Sequence, residues 1–149
     1  ADTLARVVVG APPTGREGMP GAIETTLPPE EQEYLAQLLD PSPKIREDAA
    51  GMIEPVGIAL EYLATLVTTD PSPEVRIAAI SNLEDSKDPQ ALEVLFLALQ
   101  DDHPEVLVEA IDALGYYGNR LAIPRLQPFL EHHDEDVRDA AEDALDSLE

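Results

Sequence analysis

Apolar residues recur with a helical period along most of the chain, most clearly near its end. Over 135–148 they stand three and four residues apart, which places them on one face of a helix. The residues of this face are Val137, Ala140, Ala141, Ala144, Leu145 and Leu148. Because most of them are small, we expect a neighbouring helix to approach closely.

Two kinds of helix alternate from residue 27 onward. Helices of one kind, called capped helices below, follow a short polar residue. They are predicted at 43–53, 73–84, 104–114 and 135–148. Leucine-rich helices are predicted at 29–39, 55–68, 89–99 and 120–131. The prolines Pro124 and Pro128 make the last of these irregular, and Gly115 and Gly118 are predicted to form the turn before it.

Four similar segments lead into the capped helices. Each segment places an apolar anchor near the start of its helix, and the anchors are spaced by 30, 31 and 31 residues. The anchors are Ile45, Val75, Val106 and Val137. A short polar side chain before each anchor is predicted to accept a free backbone N–H as the N-cap. These N-cap residues are Ser42, Ser72, His103 and Asp134.

A single helix pair cannot bury its apolar stripe, whereas stacked pairs can. We therefore predict an all-α fold, an α-solenoid of about four stacked helix pairs. The stretches DPSPEVRIAAISNLEDSKDPQALEVLFLAL and DDHPEVLVEAIDALGYYGNRLAIPRLQPFL resemble short HEAT repeats of the phycobilin-lyase type. The resemblance covers about residues 27–149. It implies that the leucine-rich helices line a concave recognition face.

Rows of charged residues accompany the anchors. An arginine follows three of the four anchors, at Arg46, Arg76 and Arg138, and Leu107 breaks the row. A row of acids precedes the anchors and consists of Asp40, Asp70 and Asp101. The resemblance implies that such Asp and Arg residues pair between neighbouring repeats.

Residues 1–26 have a different composition. Seven of the twelve residues from Gly10 to Gly21 are Gly or Pro, a density at which no regular element forms. The sequence therefore predicts a flexible N-terminal arm at 1–26 and a solenoid at 27–149. The short run Val7-Val8-Val9 in the arm is either part of a frayed terminus or a segment that docks on the solenoid.

The charge excludes several classes of partner. The 149 residues contain 9 Lys and Arg against 31 Asp and Glu, which gives a net charge of −22. We therefore expect no nucleic-acid binding, since that requires a cationic face, and no membrane binding, since anionic lipid repels the chain. The predicted partner is a protein or peptide with a basic patch. We expect a soluble protein, cytoplasmic rather than periplasmic, and the oligomeric state stays open.

The most acidic segment is the last one. From Glu131 to Glu149 there are nine acids and one arginine. The helix here is either a polar cap that ends the stack, as solenoids require, or a surface that precedes further repeats. In either case it is a possible docking face for a basic partner.

Aromatic and basic side chains suggest a contact surface. Of the six aromatic residues, four fall one per leucine-rich helix, Tyr62, Phe96 and Phe129 among them. For Tyr62 and Phe96, which have apolar neighbours at helical spacing, a position in the core is the favoured interpretation. We expect Tyr116 to be exposed at a turn, close to Arg120 and Arg125, and Tyr and Arg are enriched at binding hot spots. The predicted partner-binding residues are Tyr62, Phe96, Tyr116, Arg120, Arg125 and Phe129.

Two alternatives to a non-enzymatic adaptor remain. His103, His132 and His133 fall at the same junction of adjacent repeats, and with nearby carboxylates they could hold a divalent metal. Solvent-exposed and capping roles are the simpler interpretation. The resemblance also implies an enzyme or enzyme subunit of the lyase type. No catalytic constellation and no His-Glu pair is present in the sequence, so we predict no catalytic residues and no cofactor.

Overall fold

The computed structural model describes residues 27–149, so the predicted arm at 1–26 lies outside the described residues. This part of the chain is helical and contains no strand. The helices are α1 Pro29–Gln37, α2 Pro43–Met52, α3 Ile58–Thr69, α4 Pro73–Leu83, α5 Pro89–Ala98, α6 Pro104–Tyr117, α7 Ile123–Leu126 and α8 Glu135–Leu148. The predicted all-α solenoid is confirmed.

Helix starts follow the predicted capping chemistry at three of the four capped helices. The side chains of Ser72, His103 and Asp134 each accept a backbone N–H in the first turn of α4, α6 and α8. The prediction is wrong for Ser42, whose side chain makes no such bond. Instead the Ser42 N–H donates to the carboxylate of Asp40 at 2.8 Å.

The region after α6 differs in part from the prediction. The helix continues to Tyr117, and Gly118 ends it with a φ of 83°, which favours glycine. Gly115 therefore lies inside α6 and not in a turn. The last leucine-rich segment is irregular, as Pro124 and Pro128 predicted, because two 3-10 turns at Arg120–Ala122 and Gln127–Glu131 flank the single turn of α7.

Small residues let the capped helices pack closely. Helix α2 packs on α4, α4 on α6, and α6 on α8, and these contacts are more extensive than those between the leucine-rich helices α3 and α5. The buried alanines of this row include Ala49, Ala50, Ala79, Ala110, Ala113, Ala141 and Ala144. The capped helices therefore form the more closely packed row of the stack. The expectation that leucine-rich helices line a concave face stays a prediction.

Gly115 is a point of close approach between α6 and α8. A Cβ atom there would lie 3.0 Å from the Cβ and 3.1 Å from the Cα of Ala144. We expect Gly115→Ala to lower the free energy of unfolding by about 1 kcal/mol, because the backbone of α8 must shift. Gly51→Ala is the control, since a Cβ there meets nothing within 4 Å, and it should stabilise α2 by about 0.5–1 kcal/mol. Urea denaturation checks both, and equal effects would contradict the packing.

Candidate functional site

A ladder of Arg–Asp pairs joins the repeats along one edge of the capped row. The guanidinium of Arg46 donates two hydrogen bonds to the carboxylate of Asp70, from Nε at 2.7 Å and from Nη2 at 3.1 Å. Arg76 binds Asp101 in the same way at 2.7 and 3.1 Å. The predicted pairing between neighbouring repeats is confirmed, and both arginines are occupied within the fold.

Each arginine also binds the loop that leads into its own capped helix. Nη1 of Arg46 donates to the carbonyl oxygen of Asp40 at 2.8 Å, and Nη1 of Arg76 donates to that of Asp70 at 2.7 Å. The next Arg–Asp pair of the ladder is absent, because other residues occupy both of its positions. Leu107 stands at the arginine position, and His132 stands where the acid would be. The sequence showed the missing arginine, but the matching loss of the acid becomes clear only from the pairing.

An acidic groove lies between α6 and α8 on the capped-helix row. It has a volume of about 380 Å³, and apolar atoms of Val108 and Ala140 lie in its lining. Five carboxylates surround them, from Glu105, Asp112, Asp136, Asp139 and Asp143. The described residues form ion pairs through Lys44, Arg46 and Arg76, and none of these lies in the groove. The acidic groove, as we call this site, therefore presents an unneutralised negative surface with an apolar part.

The carboxylates around the acidic groove are crowded. Burial raises the pKa of Asp112, and the charge of Asp143 raises it further. Burial also raises the pKa of Glu109, with smaller contributions from Glu84 and Asp112. These shifts mean that the ionised forms are held at a cost in free energy. A positively charged group placed in the groove would relieve this repulsion.

The chain is similar to a known protein family. The family model described as HEAT repeats matches it twice, over residues 31–103 and 60–146, and the two matches together cover more than half of the chain. The chain belongs to the HEAT-repeat family. A search of curated proteins found no match to it. HEAT repeats commonly serve as protein–protein interaction scaffolds.

Two of the predicted partner-binding aromatics belong to the core of this HEAT solenoid. The side chain of Tyr62 is 0% exposed and that of Phe96 is 7% exposed. They lie on α3 and α5, where they face the neighbouring helices of the stack. Their prediction as partner contacts is therefore wrong, because neither can reach a bound protein. Phe129 is partly buried and stacks near His132, with ring centroids 6.1 Å apart.

The other predicted contacts lie on the surface of the HEAT solenoid. Tyr116 is 66% exposed at the end of α6. The nearby charge of Asp85 and a hydrogen bond to it raise the pKa of the Tyr116 hydroxyl. Arg125 is exposed, and its guanidinium lies 4.3 Å from the ring centroid of Phe96, which holds it against α5. Arg120 is exposed in the 3-10 turn before α7.

The histidines have structural roles at the repeat junctions. Nδ1 of His103 accepts the N–H of Glu105 at 3.3 Å. Nδ1 of His132 accepts the N–H of Asp134 at 3.1 Å, and its ring stacks on that of His133 with centroids 4.3 Å apart. Within residues 27–149 no group of three or more His, Asp or Glu side chains is arranged to hold a metal ion. The metal-site hypothesis therefore gains no support from the geometry.

Among residues 27–149 no helix is both long and apolar enough to cross a bilayer.

The signals that mark the acidic groove were visible in part in the sequence. Asp112 and Asp143 stand 31 residues apart at the same repeat position, but their proximity depends on how closely α6 and α8 pack.

Proposed function

We propose that this HEAT solenoid is a non-enzymatic scaffold that binds a basic protein or peptide on the face formed by its capped helices. The acidic groove is the proposed centre of the binding surface. The observation that carries the proposal is the combination of five carboxylates with the apolar atoms of Val108 and Ala140, without a cation of the described residues to neutralise them.

The chemistry of the groove suits lysine and arginine side chains. Their aliphatic stems can pack on Val108 and Ala140 while the charged heads bind carboxylates at the rim. Charge-assisted bonds of this kind are stronger than those between neutral groups. The net charge of −22 would in addition accelerate the encounter with a basic partner.

The raised pKa values predict whether protons are released or taken up when a cationic ligand binds. Burial and repulsion favour the protonated forms of Glu109 and Asp112 in the free protein. The fold therefore gains stability as pH falls through their raised pKa values. A cationic ligand in the groove, which Asp112 lines, favours the ionised form of Asp112 and lowers its pKa, so binding at a pH near that pKa should release protons. Uptake of protons on binding would argue against a ligand in this groove.

A charge-neutralising pair of substitutions tests the location of the site. Asp112→Asn with Asp143→Asn should weaken binding of a short Lys/Arg-rich peptide about tenfold, because two carboxylates that face the ligand are lost. Glu61→Gln with Glu93→Gln is the matched control, since it removes two charges from exposed positions of α3 and α5. Isothermal titration calorimetry measures both. Equal weakening by the two pairs would mean that only the overall charge matters.

The finer predictions from the sequence are tested separately. Tyr116, Arg120 and Arg125 remain proposed partner contacts because they are exposed, and Phe129 is a weaker one because it is partly buried. The phycobilin-lyase type of repeat, and with it an enzyme role, rests on the resemblance, and the metal-binding alternative rests on His103, His132 and His133. Bound pigment or metal in the purified protein, detected by absorption and elemental analysis, would contradict the scaffold proposal.

A further inference from the structure

The N-terminal end of the described solenoid exposes apolar side chains. Ile45 is 39% exposed and Met52 is 63% exposed on the same side of α2. We call these two residues the N-terminal end face. At the position of Ile45 the following repeats carry Val75, Val106 and Val137, each 0% exposed. In those repeats another capped helix precedes the one that carries the valine, whereas among residues 27–149 no capped helix precedes α2, which carries Ile45.

The opposite end of the solenoid is built differently. The inner repeats carry Ile80 and Ile111 on the side that faces the next repeat, and both are 0% exposed. At the same position α8 carries Glu142, which is exposed. The outward side of α8 is thus polar, whereas the outward side of α2 is apolar. The two ends therefore differ in their need for a covering segment.

The ladder is also incomplete at the N-terminal end. Asp70 and Asp101 each bind an arginine of the preceding repeat through both carboxylate oxygens. Asp40 stands at the same repeat position, yet among residues 27–149 its carboxylate accepts only the N–H of Ser42. Asp40 is thus an acid whose carboxylate feels the charge of Arg46 but accepts a hydrogen bond from no guanidinium in the described part of the chain. An occupant that supplies both apolar groups and an arginine would satisfy the end face and this acid.

We propose that the segment Arg6–Val9 of this same chain covers the N-terminal end face. In this arrangement the side chain of Arg6 binds the carboxylate of Asp40, and the valines that follow it pack on Ile45 and Met52. The end face lacks a guanidinium and an apolar cover. The sequence Arg-Val-Val-Val supplies both in adjacent residues. The segment would take the place of a preceding repeat.

Length and charge both favour this occupant. Seventeen residues lie between Val9 and Leu27, and a chain of that length can span up to about 60 Å. The ten residues of α2 are about 15 Å long, so the end face is within reach. A second copy of the chain is a poorer occupant, because each copy carries a charge of −22 and repels the other.

Disulfide trapping tests the proposal directly, because the chain contains no cysteine. The test pair is Val8→Cys with Met52→Cys, and the control pair is Val8→Cys with Glu33→Cys. Glu33 is exposed on α1 and closer in sequence to the segment, so a segment that does not dock would react with it at least as fast. Under mild oxidation we expect the test pair to form an intramolecular disulfide about tenfold faster than the control pair.

Three results would overturn the proposal. They are equal or faster reaction of the control pair, no disulfide in the test pair, and disulfide-linked dimers in place of the intramolecular product. The ion pair is tested by adding Asp40→Asn to the test pair, since asparagine still accepts the N–H of Ser42 but has no charge. This change should slow the disulfide several-fold, whereas Asp48→Asn, at an exposed position of α2, should not. Equal rates in the two variants would remove Arg6 from the proposal.

Discussion

Replacing Arg46 by alanine is expected to lower the free energy of unfolding by about 3 kcal/mol, because it breaks a largely buried ion pair. The side chain of Arg46 is 12% exposed and that of Asp70 is 3% exposed. Without the guanidinium, the Asp70 carboxylate keeps the N–H of Ser72 as a partner but stays charged and shielded from water. The carbonyl oxygen of Asp40 also loses its donor.

Chemical denaturation of the purified variant measures this effect, and Lys44→Ala provides the control. Lys44 also forms ion pairs, with Glu47 and Asp48, but its side chain is 70% exposed. Exposed pairs contribute little to stability, so the denaturation midpoint of Lys44→Ala should match that of the unmodified protein. A loss in Arg46→Ala no larger than that in the control would show that the ladder does not hold the repeats together.

Replacing Tyr62 by alanine is expected to cost about 3–5 kcal/mol, as for other large buried side chains. Tyr62 is among the largest fully buried side chains of the described core and lies on α3. Removing its ring leaves a cavity between α3 and the helices that pack on it. The expected result is a lower denaturation midpoint, measured by circular dichroism.

The comparison with Tyr116→Ala separates a core role from a binding role. Tyr116 is 66% exposed, so its removal should leave the denaturation midpoint unchanged. Peptide affinity of the Tyr62→Ala variant, measured under conditions in which it is folded, should match that of the unmodified protein. Weaker binding by Tyr62→Ala without a change in stability would restore Tyr62 as a partner contact.

Local sequence signals predicted most of the fold. Helix starts at Ser72, His103 and Asp134 depend on one side chain and the N–H groups that directly follow it, so they can be read from short segments. The Arg76–Asp101 pair depends on longer contacts, but the repeat of about 31 residues brings its members to neighbouring positions. Periodicity thus carries information about long-range structure in a repeat protein.

Features that depend on the distance between helices could not be predicted. The sequence placed Gly115 in a turn, because glycine commonly ends helices, whereas it is a contact point for Ala144. Which of the two rows of helices packs more closely depends on contacts between repeats, and no single segment encodes this. The acidic groove could be predicted only in part, from the acidic last helix, because Asp112 and Asp143 belong to different repeats and their proximity depends on how α6 and α8 pack.

Aromatic residues misled the prediction of the site because their burial is a property of the whole stack. Tyr62 and Phe96 lie on amphipathic segments whose two sides both face neighbours. In a solenoid the inner repeats are covered on both sides, so a side chain that a single helix would expose becomes buried. The acidic residues offered the better guide, because charged side chains are seldom fully buried.

The central claim is that a basic partner binds the acidic capped-helix face, and the salt dependence of peptide affinity tests it most directly. Raising the ionic strength from about 0.01 M to about 0.15 M shortens the Debye length from about 30 Å to about 8 Å. The Kd of a Lys/Arg-rich peptide should then rise about tenfold or more, while Asp112→Asn with Asp143→Asn should show a smaller rise. A Kd that is independent of ionic strength would contradict the account.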